Sequence, residues 1–110
     1  MKIKPLEKVS EFISEQEPET AYKLADLLES FQNSSFDNLV RTQVIKKIKG
    51  KDGLYEVRLW VIREKYRFLG NFKDEILYLT VPFKKRSKKI PPRKIYLATK
   101  IMKGMFIYKK

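Results

Sequence analysis

The chain contains no cysteine and no histidine. Without cysteine neither a disulfide framework nor a thiolate metal centre can form. Without imidazole the commonest metal ligand, and the usual general base near neutral pH, are both missing. Any catalysis has to come from Lys, Arg, Tyr or carboxylates. No apolar run approaches the roughly 20 residues of a membrane-spanning helix. The start, Met1-Lys2-Ile3-Lys4-Pro5, lacks the apolar centre of a signal peptide, so a cytoplasmic protein with no membrane contact is expected. Walker loops, glycine-rich dinucleotide fingerprints and acidic metal clusters are likewise absent, and neither a metal nor another cofactor is expected. Acid itself is scarce: 13 Asp and Glu stand against 25 Lys and Arg, giving a formal charge of +12.

Such an excess repels itself unless a polyanion is near. Nucleic acid is the leading partner, because neutralising phosphate releases counterions and gives basic proteins their affinity. An anionic membrane surface usually selects one basic amphipathic helix, whereas here the charge runs along most of the chain. At 110 residues, with 43% apolar and 13% aromatic side chains, the chain can build one core, and a single domain over residues 1–110 is expected. The acids concentrate in residues 1–40 and the basic excess in residues 41–110, so the binding surface should come from the second part.

Leu6, Val9, Phe12 and Ile13 recur at helical spacing, and Glu17-Pro18 breaks the pattern and starts another helix. From Pro18 to Phe31 the positions Ala21, Leu24, Ala25, Leu28 and Phe31 mark one face, which the Asn33-Ser34-Ser35 cluster ends. A hairpin of two helices is expected. After residue 40 the period changes. Gln43–Ile48 and Leu54–Ile62 read as strands around the turn Gly50-Lys51-Asp52-Gly53, Lys65–Phe72 as another, and Ile76–Val81 as one more, ended by Pro82, with a turn over Asn71–Asp74. Lys84-Lys85-Arg86-Ser87-Lys88-Lys89 reads as a basic loop, and Pro91-Pro92 opens a final helix over Arg93–Lys103. The apolar tail Met105–Tyr108 fits either an added strand or packing on the sheet. The expected class is α+β: two N-terminal helices on a curved, mainly antiparallel sheet of about four strands, with a C-terminal helix.

Tyr55, Val57, Leu59 and Val61 form the apolar row of their strand, so Glu56, Arg58 and Trp60 should face away from the helix-covered core. A hairpin partner can set Arg67 beside Arg58 on that open face. Two guanidinium groups give bidentate phosphate contacts and an indole can stack a base; the plainer alternative is solvated arginines and a packing tryptophan. The basic loop should sit at the rim of the same face, offering Lys84, Lys88 and Lys89 to RNA. Lys46, Lys47, Lys49 and Lys51 either track an RNA backbone or solvate a strand and turn.

The ordered segments Gly53-Leu54-Tyr55-Glu56-Val57-Arg58, Tyr66-Arg67-Phe68-Leu69, Pro82-Phe83-Lys84-Lys85-Arg86-Ser87-Lys88-Lys89-Ile90-Pro91 and Ile95-Tyr96-Leu97-Ala98 together resemble the phage-derived branch of the RelE/HigB toxin family. The resemblance implies the RelE-like fold just outlined. It also implies a type II toxin that cuts messenger RNA, commonly in the ribosomal decoding site, with a cognate antitoxin, expected as a helix-turn-helix protein carrying an acidic segment. By position, Arg58 and Arg67 match the family's sheet arginines, and Lys85 and Arg86 its paired lysines. Tyr96 lies near where some relatives place a catalytic tyrosine. Val81 stands where the phage-type motif usually has His, and Pro82 where it has Gly. Such a reaction needs no metal: the RNA 2′-OH attacks the adjacent phosphate to leave a 2′,3′-cyclic phosphate, and the protein orients the backbone and stabilises the phosphorane. Tyr96 or a lysine crowded by cations could take the proton. Two other readings use the same surface: a non-catalytic RNA- or DNA-binding module (a degenerate toxin or a ribosome-associated protein), or a domain whose basic groove accepts an acidic protein segment.

Overall fold

The computed structural model describes residues 1–106, with Phe106 described by its backbone; Ile107 and Tyr108 of the apolar tail lie outside the described residues. The order is β1 (Lys2–Pro5), α1 (Glu7–Ser14), α2 (Pro18–Phe31), α3 (Phe36–Arg41), β2 (Ile45–Lys47), β3 (Leu54–Val61), β4 (Glu64–Lys73), β5 (Ile76–Lys84) and α4 (Pro92–Phe106). The α+β arrangement expected from the sequence is the one observed. The helices over Glu7–Ser14 and Pro18–Phe31 fall where apolar spacing puts them, with Pro18 opening α2, where its missing N–H costs nothing.

Two elements were not expected. Ser35 does not merely end a helix; its hydroxyl accepts the Asn38 N–H at 3.1 Å and caps the short α3. Lys2–Pro5 joins the sheet as a parallel edge strand on β5, giving the order β1-β5-β4-β3-β2. The sheet is therefore mainly antiparallel, as expected, with a fifth strand that joins it in parallel at one edge. The amides of Lys2 and Leu6 donate to the carbonyls of Glu75 and Leu79, so Ile3 and Pro5 turn outward. The Ile3 N–H is taken by the Gln32 side-chain oxygen at 3.0 Å, and Pro5 has none to offer.

The hairpin tips also differ from expectation. Ile62-Arg63 and Asp74-Glu75 form the turns on either side of β4, all four residues at positive φ, the geometry of type I′ loops, although no glycine or asparagine marks either site. Asn71 is consequently a strand residue, 2% exposed, rather than part of a turn. Nor does Pro82 end its strand: β5 runs on to Lys84. Because Lys85 N–H points at the Lys65 carbonyl, Pro82 nitrogen points away from β4, toward the side that β1 has left after pairing Pro5 with Leu79. No ladder bond is lost there.

Helices pack on both sheet faces. Val57, Leu59, Val61, Tyr66, Phe68, Leu77 and Leu79 pack with Val9, Leu24, Leu28 and Leu39 of α1, α2 and α3. On the other face Ile48, Leu54, Leu69, Val81 and Phe83 pack with Ala98, and Ile95 and Ile101 of α4 lie against them. A register shift at Leu69/Gly70 bends β4 against β5, and Gly70 lies so close to the Tyr78 carbonyl that a Cβ would collide with it. None of the described helices is long and apolar enough to cross a membrane.

Candidate nucleic-acid interface

Side chains alternate along a strand, so the α4 face of β3 carries Leu54, Glu56, Arg58 and Trp60. The register sets Glu56 opposite Leu69, Arg58 opposite Arg67 and Trp60 opposite Lys65, while β5 places Val81 and Phe83 beside Leu69 and Arg67. The packing of α4 reaches the rows of Leu54, Leu69, Val81 and Phe83. Along β3 the side chains then pass from Glu56, buried, through Arg58, half-buried, to Trp60, 72% exposed. The packing-tryptophan alternative fails, since the indole stands in solvent.

Arg58 and Arg67 are cross-strand neighbours as expected, but Arg67 is not on an open surface. It is 5% exposed, as is Glu56, and its Nε lies 3.2 Å from Glu56 Oε2. The two charges attract at this distance without a well-aligned hydrogen bond; Arg67 Nη1 donates instead to the Tyr66 carbonyl at 3.1 Å. Burial works against the arginine's charge, the Glu56 carboxylate restores it, and Arg58 opposes it further. Alternation put Arg67 on the correct face of the sheet; what it could not show is that α4 returns to cover the inner half of that face.

Lys85, half-buried, follows the end of β5, and its N–H is held by the Lys65 carbonyl at 2.8 Å. Burial pushes its pKa below the ordinary lysine value, and Arg67, Arg58 and Lys65 push it further, against the pull of Glu56. Glu56, Arg67, Arg58 and Lys65 thus all lie within electrostatic reach of the Lys85 amine. Lys46 of β2 lies directly opposite Glu56 and extends this face to the sheet edge. Arg86 pairs with Glu64, Nη1 3.4 Å from Oε2, and with Lys65, Lys85, Ser87 and Lys88 lines an open concavity of about 390 Å³ at the end of the sheet. Lys89 is exposed, and its carbonyl accepts the Ser87 hydroxyl at 3.0 Å, shaping the loop.

Other expected residues lie apart from this cluster. Lys84 alternates to the opposite face, its Nζ 5.7 Å from the centre of the Tyr66 ring. Lys47, opposite Tyr55, also belongs to that face, and Lys49 is exposed beyond the end of β2. Tyr96 is 65% exposed on α4 and lines a different cleft, with Lys51, Thr99, Lys100 and Lys103. Sequence reasoning missed Glu56 and Lys65 as site residues. The signal for Glu56 was an acid two positions before an arginine on one strand face; the signal for Lys65 needed the two-residue turn at Ile62-Arg63, which fixes Lys65 opposite Trp60.

The sheet is closed on one face by α1, α2 and α3, and the other face carries α4 with a cationic end beside it. The chain belongs to the family described as phage-derived protein Gp49-like (DUF891), whose model matches residues 11–103, and this family is associated with toxin–antitoxin toxins. No curated protein and no solved structure matches the chain.

Proposed function

We propose that this protein is a type II toxin of the RelE/HigB kind, an endoribonuclease that cuts messenger RNA on the ribosome and is held in check by a cognate antitoxin. The observation that carries this reading is the convergence of Arg58, Lys65 and the Arg67–Glu56 pair on the half-buried Lys85 at the end of β5, with Trp60 exposed opposite Lys65. Family membership supports the toxin role.

In this mechanism the RNA backbone lies across the end of the sheet, one base against Trp60. The 2′-oxygen attacks the adjacent phosphorus in line, the 2′-O–P bond forms and the P–O5′ bond breaks, leaving a 2′,3′-cyclic phosphate. Arg58, the more accessible of the two arginines, holds the charge that builds on the non-bridging oxygens, and the buried Arg67 adds its positive field from beneath. Lys85 takes the 2′-OH proton. Its lowered proton affinity makes the neutral amine more available, and its place beside the arginines makes it the better base than Tyr96, which lines another cleft. The leaving 5′-oxygen is protonated by an ammonium of the same cluster, with Lys65 in position. Glu56 keeps Arg67 charged and in place.

The test is induction without a partner, followed by incubation of purified protein with translating ribosomes. Growth arrest, cut message with cyclic phosphate ends, and loss of cutting in Lys85→Ala and Arg58→Ala are expected. Intact message and normal protein synthesis with soluble protein present would leave a non-catalytic RNA-binding module in its place.

A further inference from the structure

We propose that the outer side of α4 is a second RNA-binding site, where a base stacks on Tyr96 and the flanking phosphates are held by Lys51, Lys100 and Lys103. The inference rests on the reading of this protein as one that engages RNA, though not on its cutting RNA. Ile95, Ala98 and Ile101 turn inward and anchor the helix, so the core does not need the Tyr96 ring, which stands 65% exposed. That ring borders a cleft of about 420 Å³ whose charged lining is Lys51, Lys100 and Lys103, with no carboxylate among them. The Nζ of Lys100 lies 5.4 Å from the ring centre, a cation–π contact on one face of the ring that swings aside or leaves the other face to the base, and in either case keeps a positive charge within reach of the adjoining phosphate. No acidic residue follows Glu75 in the sequence, so nothing on α4 offsets these lysines.

A nucleotide uses both halves of this arrangement, its base the ring and its phosphate the ammonium groups, whereas an acidic peptide would use only the lysines. The Thr99 hydroxyl already donates to the Ile95 carbonyl at 2.8 Å. It is therefore committed within the helix, and the site should accept any base. The cleft shares no lining residue with the concavity of Lys65, Lys85 and Arg86, so the two can hold different stretches of one RNA.

The probe is a fluorescently labelled 2′-O-methyl RNA, which cannot be cut, its affinity read by anisotropy. Tyr96→Ala should weaken binding by about 5- to 100-fold, the range for one stacked base. Tyr96→Phe should bind within about twofold of the wild type, since stacking needs no hydroxyl. Lys51→Ala, Lys100→Ala and Lys103→Ala together should reduce the slope of log affinity against log salt by about 2, from roughly 0.7 per single-strand phosphate. Normal affinity in Tyr96→Ala overturns the proposal. So does an equal loss toward an abasic strand or polyglutamate, which would make the cleft a site for acidic segments, and so does a Tyr96→Phe variant as weak as Tyr96→Ala. If the wild type cuts no message, the nuclease reading falls while these binding results stand on their own.

Discussion

Arg67→Ala tests the reading of the buried ion pair most directly. The substitution removes a guanidinium that is 5% exposed and leaves the Glu56 carboxylate, equally buried, without the charge 3.2 Å away. Breaking a buried pair by deleting one partner typically costs about 3–5 kcal/mol, because the survivor stays desolvated and uncompensated. The electrostatic reach of Lys85 to the same carboxylate argues for the lower end, about 3 kcal/mol. In a domain of this size that corresponds to a fall of roughly 10–20 °C in Tm. An arginine on a solvated sheet face, as alternation alone suggests for Arg67, would cost about 0.5 kcal/mol or less. Denaturant melts of wild type, Arg67→Ala, Glu56→Gln and the double variant separate the two readings. The double variant should recover much of what either single change loses, a coupling of about 1–3 kcal/mol, since neither charge is then left alone. If Arg67→Ala melts within about 0.5 kcal/mol of the wild type, the ion-pair argument is wrong; if the cycle shows no coupling, Arg67 is held by packing rather than by Glu56.

Replacing Ile62-Arg63 by Asn-Gly should stabilise the fold by about 1–3 kcal/mol in the same melts, because a β-branched residue at φ 46° and its neighbour at φ 66° occupy a region that costs L-residues roughly 1–2 kcal/mol each. Gly70→Ala should lower Tm sharply or prevent soluble expression, since its methyl would meet the Tyr78 carbonyl within a register shift that cannot move freely. Cleavage by the wild type should rise with pH as Lys85 loses its proton. In Glu56→Gln that limb should move to lower pH, because Glu56 is the group that raises the Lys85 pKa while the cations lower it; an unmoved or upward-shifted limb would remove Lys85 as the base.

Elements whose signal is local were legible in the sequence. The helical face from Ala21 to Phe31, the alternation from Tyr55 to Val61, and the Pro91-Pro92 start of the last helix depend on residues a few positions apart, and all appear in the fold. Elements defined by their partner were not. Lys2–Pro5 has too few residues to show a period and becomes a strand only because β5 offers an edge. The turns at Ile62-Arg63 and Asp74-Glu75 carry no glycine, so the hairpins are closed by strand pairing at the expense of backbone strain. The same division holds at the site. The pairing of Arg58 with Arg67 followed from alternation and hairpin register, whereas the burial of Arg67 with Glu56 depends on packing that only the assembled fold creates. Tyr96 shows the limit of position-matching: its place in the last helix is fixed by sequence, but the direction in which that helix turns it is not.

The outward edge of β1 has a bearing on how the chain avoids its own kind during folding. A strand edge with free amides is a template on which another chain can pair. Here the capping group of the Ile3 amide is the Gln32 side chain, and Gln32 is the residue that ends α2. The edge therefore closes only when α2 has docked, and until then the first strand can recruit a neighbour. Aggregation of a crowded, freshly made chain should be decided in that interval rather than in the finished fold.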